Sequence, residues 1–278
     1  MRSIAIIGLG LIGGSIAKAV KQNSETYVIG WNRNESTAKA ALKQGIIDTI
    51  WDKSSVLDSE LIIIAAPPEA TVCFLEENAH LFGKGSVITD VCGVKTQIVA
   101  ECERICIANG LAFIGGHPMA GKEKGGLNNS DPTLFERASY ILTPSASTPK
   151  KAMDTIIELT EILKVGRITV TTPEEHDRII AFTSQLPHVL AGAYIKSPLC
   201  KERKGFSAGS FMDVSRVATA DEKLWTELFM QNRVNLCKEI ETLIKNLTAY
   251  HDAIKDDNRQ LINDLIKEGR EIKEADND

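Results

Sequence analysis

The side chain best suited to acid–base chemistry in this sequence is His117, which follows an apolar run and stands between Gly116 and Pro118. We expect a glycine-rich turn at the end of a strand, with room for a ligand beside the imidazole. Imidazole exchanges protons near neutral pH and therefore suits the removal of a proton from a hydroxyl group. His117 is the predicted catalytic base, and the alternative is a structural histidine.

A second polar group lies on a predicted helix, where His176, Ser184 and His188 stand at intervals of eight and four residues. Ser184 and His188 share one helical face, and His176 lies about a third of a turn from His188. Pro187 is expected to kink the helix and to free a carbonyl near His188. The alternative is a helix with two incidental histidines. No third ligand stands at metal-binding spacing, so we expect no metal.

A third group combines Asp213 and Arg216, whose spacing brings the two side chains together on a helix. A buried arginine needs an anionic partner, and both Asp213 and a substrate carboxylate are candidates for that partner. A purely structural ion pair is the competing interpretation.

The amino terminus indicates the scaffold that positions these side chains. An apolar run leads into Gly8-Leu9-Gly10-Leu11-Ile12-Gly13 and then into a helical pattern. In this context Gly8 forms a tight turn, Gly10 lets a pyrophosphate approach the backbone, and Gly13 permits close packing of helix on strand. The helix start then holds the anion, whereas the alternative is a glycine-rich turn without a ligand. The predicted cofactor-binding residues are Gly8, Gly10, Leu11, Ile12, Gly13, Asn32, Arg33, Ala66 and Pro67.

The end of the second predicted strand bears on which dinucleotide binds. An NAD site places Asp or Glu there to accept hydrogen bonds from the ribose 2′-hydroxyl. This chain has the neutral Asn32 instead, followed by Arg33, which can pair with a 2′-phosphate. The pair favours NADP over NAD, although Arg33 stacked on adenine or facing solvent is the alternative, and use of both cofactors is compatible with the sequence.

Apolar strand-like runs alternate with helical patterns over the first 170 residues or so, which is typical of βαβ units around a parallel sheet. After Thr172 the periodicity is helical, with almost no strand signal. We therefore predict an α/β protein with an N-terminal Rossmann-type doubly wound, mostly parallel sheet over residues 1–171. An all-helical C-terminal domain over residues 172–278 follows it and is expected to dimerise. The predicted strands are 4–7, 27–30, 61–66, 86–91, 111–115, 140–143 and 167–171.

Composition excludes several classes of partner. A net charge of −5 argues against nucleic acid, and the longest apolar run, Leu61 to Pro68, is too short to span a membrane. Six cysteines without C-x-x-C spacing predict reduced thiols in a cytoplasmic protein. No leader segment is expected before the first strand.

Taken together, the motifs of this chain resemble the prephenate/arogenate dehydrogenase family of tyrosine biosynthesis. The resemblance implies oxidative decarboxylation of prephenate to 4-hydroxyphenylpyruvate, or of arogenate to tyrosine, with hydride transfer to NAD(P). It also implies a homodimer formed through the helical domain. The motifs cover positions 6 to 225 and include G-L-G-L-I-G-G-S, D-V-C-G-V-K, G-G-H-P-M-A-G, S-Q-L-P-H and F-x-D-x-x-R.

The same resemblance implies a role for each residue of the three polar groups. His117 corresponds to the catalytic base bonded to the ring hydroxyl, and Arg216 to the arginine that holds the side-chain carboxylate of the substrate. His188 corresponds to a second substrate-contacting histidine. The remaining predicted substrate-site residues are Ser184, Gly93 and the supporting polar residues His176 and Asp213.

Two positions depart from the family pattern. Some members carry a serine at the place of Gly93, where it binds the ring hydroxyl and orients the histidine, so a water or a neighbouring group must replace it here. Some members also carry a histidine at the place of Gln185. The rival interpretations are a β-hydroxyacid dehydrogenase, which usually relies on a lysine in its helical domain, and a dinucleotide-sensing protein without turnover.

Overall fold

The central strands are apolar along their whole length because helices cover both faces of the sheet. The computed structural model describes residues 1–276 and contains one eight-stranded sheet of order β3-β2-β1-β4-β5-β6-β7-β8. All neighbouring strands are parallel except β6 and β7, which are antiparallel. The strands are β1 (Ser3–Ile7), β2 (Tyr27–Trp31), β3 (Thr49–Ile50), β4 (Leu61–Ile64), β5 (Val87–Asp90), β6 (Ala112–Pro118), β7 (Ser139–Thr143) and β8 (Arg167–Val170).

Helices connect the strands up to β8 and make up most of the chain after it. A π-helical turn, Ala181–Gln185, joins α6 to α7 without a break in the helical path. The helices are α1 (Leu11–Asn23), α2 (Glu35–Lys43), α3 (Pro68–Asn78), α4 (Thr96–Ala108), α5 (Lys150–Ile162), α6 (Pro173–Ile180), α7 (Leu186–Tyr194), α8 (Gly209–Ser215), α9 (Glu222–Gln231), α10 (Arg233–Lys255) and α11 (Arg259–Ala275).

Two apolar cores lie on the two faces of the sheet, as the period of a strand requires. In β1, Ile4 and Ile6 belong to the core that includes residues of α1 and α5, whereas Ala5 and Ile7 belong to the core that includes residues of α3 and α4. Each side chain of a strand therefore packs on one face of the sheet only. Because a shift by one residue would turn the apolar side chains to the other face, this alternation fixes the register of the strands. The strand ends, and the polar side chains that they carry, therefore meet at one edge of the sheet.

The predicted fold class is confirmed, with corrections to individual elements. The two-residue strand β3 was not predicted because a pair this short carries no periodic signal. His117 was expected in a turn beyond a strand, but it lies within β6. The reason is that β6 pairs with β5 only as far as Ile114, after which the antiparallel strand β7 pairs with residues 115–118 and keeps the chain extended.

The described chain divides into a unit of Met1–Asn232 and a second unit that begins at Arg233. Helix α6 packs against α4 and β7, which places it within the first unit. A boundary after residue 171 stays a prediction about domain organisation. The second unit contains α10 and α11, which pack against each other. Within residues 1–276, no helix combines the length and the apolarity needed to cross a bilayer.

Candidate active site

The centre of the site is a chain of three side chains that ends at His117. The Nδ1 atom of His117 lies 2.9 Å from Nε2 of His176. The Nδ1 atom of His176 lies 2.8 Å from a carboxylate oxygen of Asp177. A carboxylate only accepts hydrogen bonds, so Nδ1 of His176 donates and its Nε2 accepts from His117. This order of donors leaves Nε2 of His117 without a proton and free to accept one.

The carboxylate at the start of this chain is held by the amino terminus of α4. One oxygen of Asp177 accepts the backbone N–H of Lys95 at 2.7 Å, and the other accepts that of Thr96 at 2.8 Å. Unpaired N–H groups and the helix dipole both favour a negative charge at this place. Burial opposes ionisation of Asp177, but the hydrogen bonds from His176 and Thr96 outweigh it and hold its pKa below the ordinary value.

His117 is half-buried, in surroundings that keep it neutral. Its pKa lies well below the usual range, first because burial removes water from the ring and then because His176 and Lys95 would repel an added charge. The pKa of His176 is lowered as well, chiefly by burial, although Asp177 acts in the opposite direction. Both imidazoles are therefore neutral at physiological pH, as the donor order requires.

A second polar group surrounds His188. Its Nδ1 donates to the backbone carbonyl of Ser184 at 2.9 Å, and its ring stacks on Trp225 with centroids 3.5 Å apart. Pro187 lies in the first turn of α7, directly after the π-helical turn, where a residue without a backbone N–H is tolerated. Burial, together with the nearby charge of Arg216, lowers the pKa of His188. The neutral ring thus presents Nε2 as a free acceptor.

The predicted helical trio is accordingly divided between two groups. His176 joins His117, whereas Ser184 joins His188 and contributes its carbonyl oxygen. A π-helical turn lies between the two histidines and has more residues per turn than an α-helix. The angle between His176 and His188 that a regular α-helix predicts therefore does not apply.

The expected pairing of Asp213 with Arg216 is wrong in this structure. Arg216 pairs with Glu123 of the loop after β6, at 3.3 Å, and its side chain is 65% exposed. Asp213 is exposed on α8. The α-helix ends at Ser215, and Arg216 begins a short 3₁₀ turn. The exposed side chain of Arg216 reaches the loop after β6, where Glu123 supplies the anionic partner.

The two departures from the family pattern have structural consequences. A Cβ atom added to Gly93 would lie 3.9 Å from the His117 ring and 3.5 Å from Leu228, so residue 93 stands beside the base with room for a small side chain. The group that orients His117 in this chain is His176. Gln185 is buried and bridges the Leu228 carbonyl and the Asn232 amide, which is a structural role.

The glycine motif forms a cradle that suits a dinucleotide. A Cβ at Gly8 would overlap the carbonyl of Ala65, and one at Gly13 would overlap the carbonyl of Gly8, whereas Gly10 faces open space. Gly10 is the N-cap of α1 and supplies no capping side chain, so the first N–H groups of the helix, at Leu11, Ile12 and Gly13, remain available for an anion. The residues present therefore fit a pyrophosphate.

Asn32 closes one side of this cradle. Its side-chain oxygen accepts the N–H of Leu9 at 2.9 Å, and its amide donates to the carbonyl of Asn34. A cleft of about 410 Å³ begins here, with the first turn of α2 on one side and residues 125–129 on the other. Arg33 is exposed beside it. No acidic side chain lines the described cleft, which suits an anionic ligand.

The edge of the sheet that carries the glycine motif continues to His117. The carbonyl of Ala66, at the end of β4, accepts hydrogen bonds from Thr71 and from the Cys92 thiol, and Pro67 follows at the surface. Cys92 precedes Gly93, which lies beside His117. The strand ends of β4, β5 and β6 thus bring the glycine cradle and the imidazole to one edge of the sheet, as expected for a doubly wound fold.

Sequence reasoning missed three residues of the site. Asp177 follows His176 directly, and a carboxylate next to a candidate histidine was a usable signal. Asp90 and Lys95 stand in the D-V-C-G-V-K motif, but the sequence does not reveal that both are buried and paired. Among residues 1–276, no group of three or more metal-ligating side chains is placed to hold an ion.

Comparison with known proteins identifies relatives over nearly the whole chain. A family model for the nucleotide-binding domain of prephenate dehydrogenase matches residues 16–169, and one for its dimerization domain matches residues 172–268. Prephenate dehydrogenase of Bacillus subtilis is 32% identical, over 98% of this chain and 76% of the relative. Cyclohexadienyl dehydrogenase of Zymomonas mobilis is 30% identical, over 99% of this chain and 96% of the relative.

A solved structure gives a matching result. The crystal structure of prephenate dehydrogenase from Aquifex aeolicus, in complex with hydroxyphenyl propionate and NAD⁺, superposes with a TM-score of 0.88. It is 27% identical and covers 100% of this chain and 99% of that chain.

Proposed function

Because this chain belongs to the prephenate dehydrogenase family, we propose that it converts prephenate to 4-hydroxyphenylpyruvate by oxidative decarboxylation, with arogenate as the alternative substrate. It is an oxidoreductase of the NAD(P)-dependent type. The observation that carries the proposal is the order of hydrogen bonds from Asp177 through His176 to His117. This order leaves the free lone pair on the His117 nitrogen that faces away from His176, on a half-buried, neutral imidazole.

His117 acts as the base for the ring hydroxyl of the substrate. Its Nε2 accepts the hydroxyl proton as the carbon that bears the hydroxyl loses hydride, and a positioned base contributes about 10²–10⁴ in rate. The oxidised ring is a vinylogous β-keto acid, so it loses carbon dioxide and becomes aromatic. The added positive charge on His117 is shared with His176, whose Nδ1 proton rests on the Asp177 carboxylate.

The nicotinamide dinucleotide supplies the hydride acceptor when it is bound. Gly8, Gly10 and Gly13, with the first N–H groups of α1, hold its pyrophosphate, and the cleft beside Asn32 holds the adenosine ribose. The finer proposal is a preference for NADP. The support is that Asn32 brings no negative charge to the ribose and that the exposed Arg33 can pair with a 2′-phosphate.

Arg216 binds the side-chain carboxylate of the substrate, and His188 offers a neutral acceptor beside it. The support for this proposal is that Arg216 is exposed and that its charge acts on His188. A small anionic substrate is thereby bound by local cations, although the chain as a whole is negative. Ser184 contributes by fixing the orientation of the His188 ring.

The dimerization-domain match supports a homodimer formed through the helical part of the chain. We propose a cytoplasmic enzyme whose small-molecule partners include its substrate and its cofactor.

Initial-rate kinetics with prephenate and with arogenate, each with NAD⁺ and with NADP⁺, test the proposal. We expect the highest kcat/KM with prephenate, and a lower KM for NADP⁺ than for NAD⁺. The variant Arg33→Ala should raise the KM for NADP⁺ more than that for NAD⁺. Absence of turnover with both substrates would contradict the proposed activity, and equal effects of the Arg33 variant would contradict the cofactor preference alone.

A further inference from the structure

A fully buried ion pair lies behind the imidazole chain and has no part in the chemistry assigned above. The ammonium group of Lys95 lies 2.6 Å from a carboxylate oxygen of Asp90, and both side chains are 0% exposed. Removing two charges from water costs several kcal/mol per ion unless further hydrogen bonds compensate. The contacts of the pair therefore show what it holds in place.

Lys95 fastens the turn that follows β5. Its Nζ donates to the carbonyls of Cys92 and Val94, at 2.8 and 3.1 Å, in addition to Asp90. Gly93 lies between these two carbonyls and stands beside the His117 ring. The three hydrogen bonds of this ammonium group therefore fix the short turn that lies on one side of the His117 ring.

Asp90 holds strand β6, which carries His117. One of its oxygens accepts the N–H of Gly116 at 3.1 Å, and the other accepts the N–H of Cys92 at 2.8 Å. The Lys95 stem passes close to Gly115, where an added Cβ would approach Lys95 Cδ to 3.0 Å. The ion pair therefore contacts both residues that immediately precede His117.

The backbone of the same lysine holds the far end of the imidazole chain, since its N–H donates to Asp177. Its charge also acts on the rings. Burial is the largest cause of the lowered pKa of His117 and of His176, and Lys95 is a further cause for both. The titratable side chains around the two rings are Lys95 and Cys92 before α4, Asp90 of β5, Tyr140 of β7 and Asp177 of α6.

Of these groups, Lys95 is the one whose positive charge opposes protonation of the rings. Burial raises the pKa of the Cys92 thiol and of the Tyr140 hydroxyl, so both stay neutral. The carboxylate of Asp177 already accepts hydrogen bonds from His176 and from two backbone N–H groups.

We propose that Lys95 is a positioning residue for the reaction: it clamps the Gly93 turn and the His117 strand together through Asp90, and its charge keeps the imidazole pair free of an extra proton. The inference rests on the proposed role of His117 as the base. Through Lys95, the D-V-C-G-V-K motif lets His117 stay unprotonated, and able to act as the base, at lower pH.

The test compares Lys95→Met with the double variant Asp90→Asn/Lys95→Met, which leaves no uncompensated buried charge. Loss of the positive charge should raise the pKa of His117, so the acid limb of the kcat/KM profile should move to higher pH in Lys95→Met. The double variant also removes the Asp90 carboxylate, whose charge acts on the imidazole pair in the opposite direction, so its acid limb should move less. The titration of the His117 ring nitrogens, followed by ¹⁵N NMR in the full chain and assigned with His117→Asn, should move in the same direction. Lys21→Met is the matched control, because Lys21 forms a 2.7 Å ion pair with Asp48 on another part of the surface.

The two measurements separate this inference from the proposed function. A folded Lys95→Met variant that loses stability or rate without moving either the acid limb or the His117 titration would overturn the role of the Lys95 charge. A shift of the NMR titration without a shift of the acid limb would support the role of Lys95 and refute His117 as the base. An equal shift in the Lys21 variant would show a general charge effect and would also overturn the inference.

Discussion

At the scale of single residues, the properties of His117 come from the contacts of its two ring nitrogens. Nδ1 is occupied by His176, which is itself fixed by Asp177, and this leaves Nε2 as the only nitrogen that can receive a proton. Burial keeps the ring neutral. A histidine alone in a glycine-rich segment would have neither a fixed tautomer nor a fixed direction.

Replacing His117 with Asn removes the base but keeps a polar side chain of similar size. We expect kcat to fall by about 10²–10⁴ with little change in KM, since the hydroxyl proton then has no acceptor at the moment of hydride loss. Steady-state kinetics measure this, with His80→Asn as the control because His80 is exposed. An unchanged kcat would remove His117 from the base role.

Replacing Arg216 with Ala tests carboxylate binding. We expect KM for prephenate to rise by about 10-fold or more with a smaller effect on kcat, because the ion pair is present in both the ground state and the transition state. Arg104→Ala is a matched control, since Arg104 is 62% exposed against 65% for Arg216 and also pairs with glutamate. If both variants raised KM equally, Arg216 would have no specific role in substrate binding.

At the scale of elements, the site depends on how β1 meets α1 and on how β6 is extended. The glycines of the β1–α1 turn differ in what surrounds them: Gly8 and Gly13 have backbone against their α-carbons, whereas Gly10 faces open space. The first two serve packing, and we propose that the third leaves room for a ligand. The extension of β6 by pairing with β7 places His117 on a strand, where its position is better fixed than on a loop.

The different roles of the glycines predict different effects of adding one methyl group. Gly13→Ala should destabilise the fold by about 1–3 kcal/mol, because its Cβ would overlap the Gly8 carbonyl. Gly10→Ala should leave stability nearly unchanged but weaken dinucleotide binding by filling the open face. Thermal unfolding and fluorescence titration with NADH and NADPH measure the two effects. Equal loss of stability in both variants would contradict this division of roles.

At the scale of the whole molecule, α10 and α11 contribute no residue to the two apolar cores of the sheet, and many of their apolar side chains are exposed. The exposed apolar residues of α10 and α11 are Val234, Ile244, Leu247, Ile254, Leu261, Ile266 and Ile272. Apolar surface on this scale is typical of a protein–protein interface. The match to a dimerization domain over residues 172–268 agrees with such an interface.

A charge placed on this surface should weaken the dimer. We expect Ile244→Glu and Ile266→Glu, whose parent side chains are each 57% exposed, to increase the monomer fraction at micromolar concentration. Light scattering after size-exclusion chromatography gives the mass. Ile107→Glu is the control, because Ile107 is 63% exposed on α4. Dimers that stayed intact in both α10 and α11 variants would place the interface elsewhere.

Sequence alone determined the features that depend on local chemistry and on period. Alternating apolar runs and helical patterns determined the sheet domain and the helical remainder, and the glycine spacing after β1 determined the dinucleotide cradle. It also singled out His117, His188 and Arg216 as candidate site residues. These inferences hold because strand and helix periods, glycine conformation and side-chain proton affinity are properties of short segments.

Only the tertiary structure decided which of these residues meet. The β6–β7 pairing places His117 on a strand, the π-helical turn separates His176 from His188, and Arg216 takes Glu123 instead of Asp213. The burial of Lys95 with Asp90 likewise depends on strands and helices far apart in the chain. Contacts across such separations are set by packing of the whole sheet and its helices, and no local pattern encodes them.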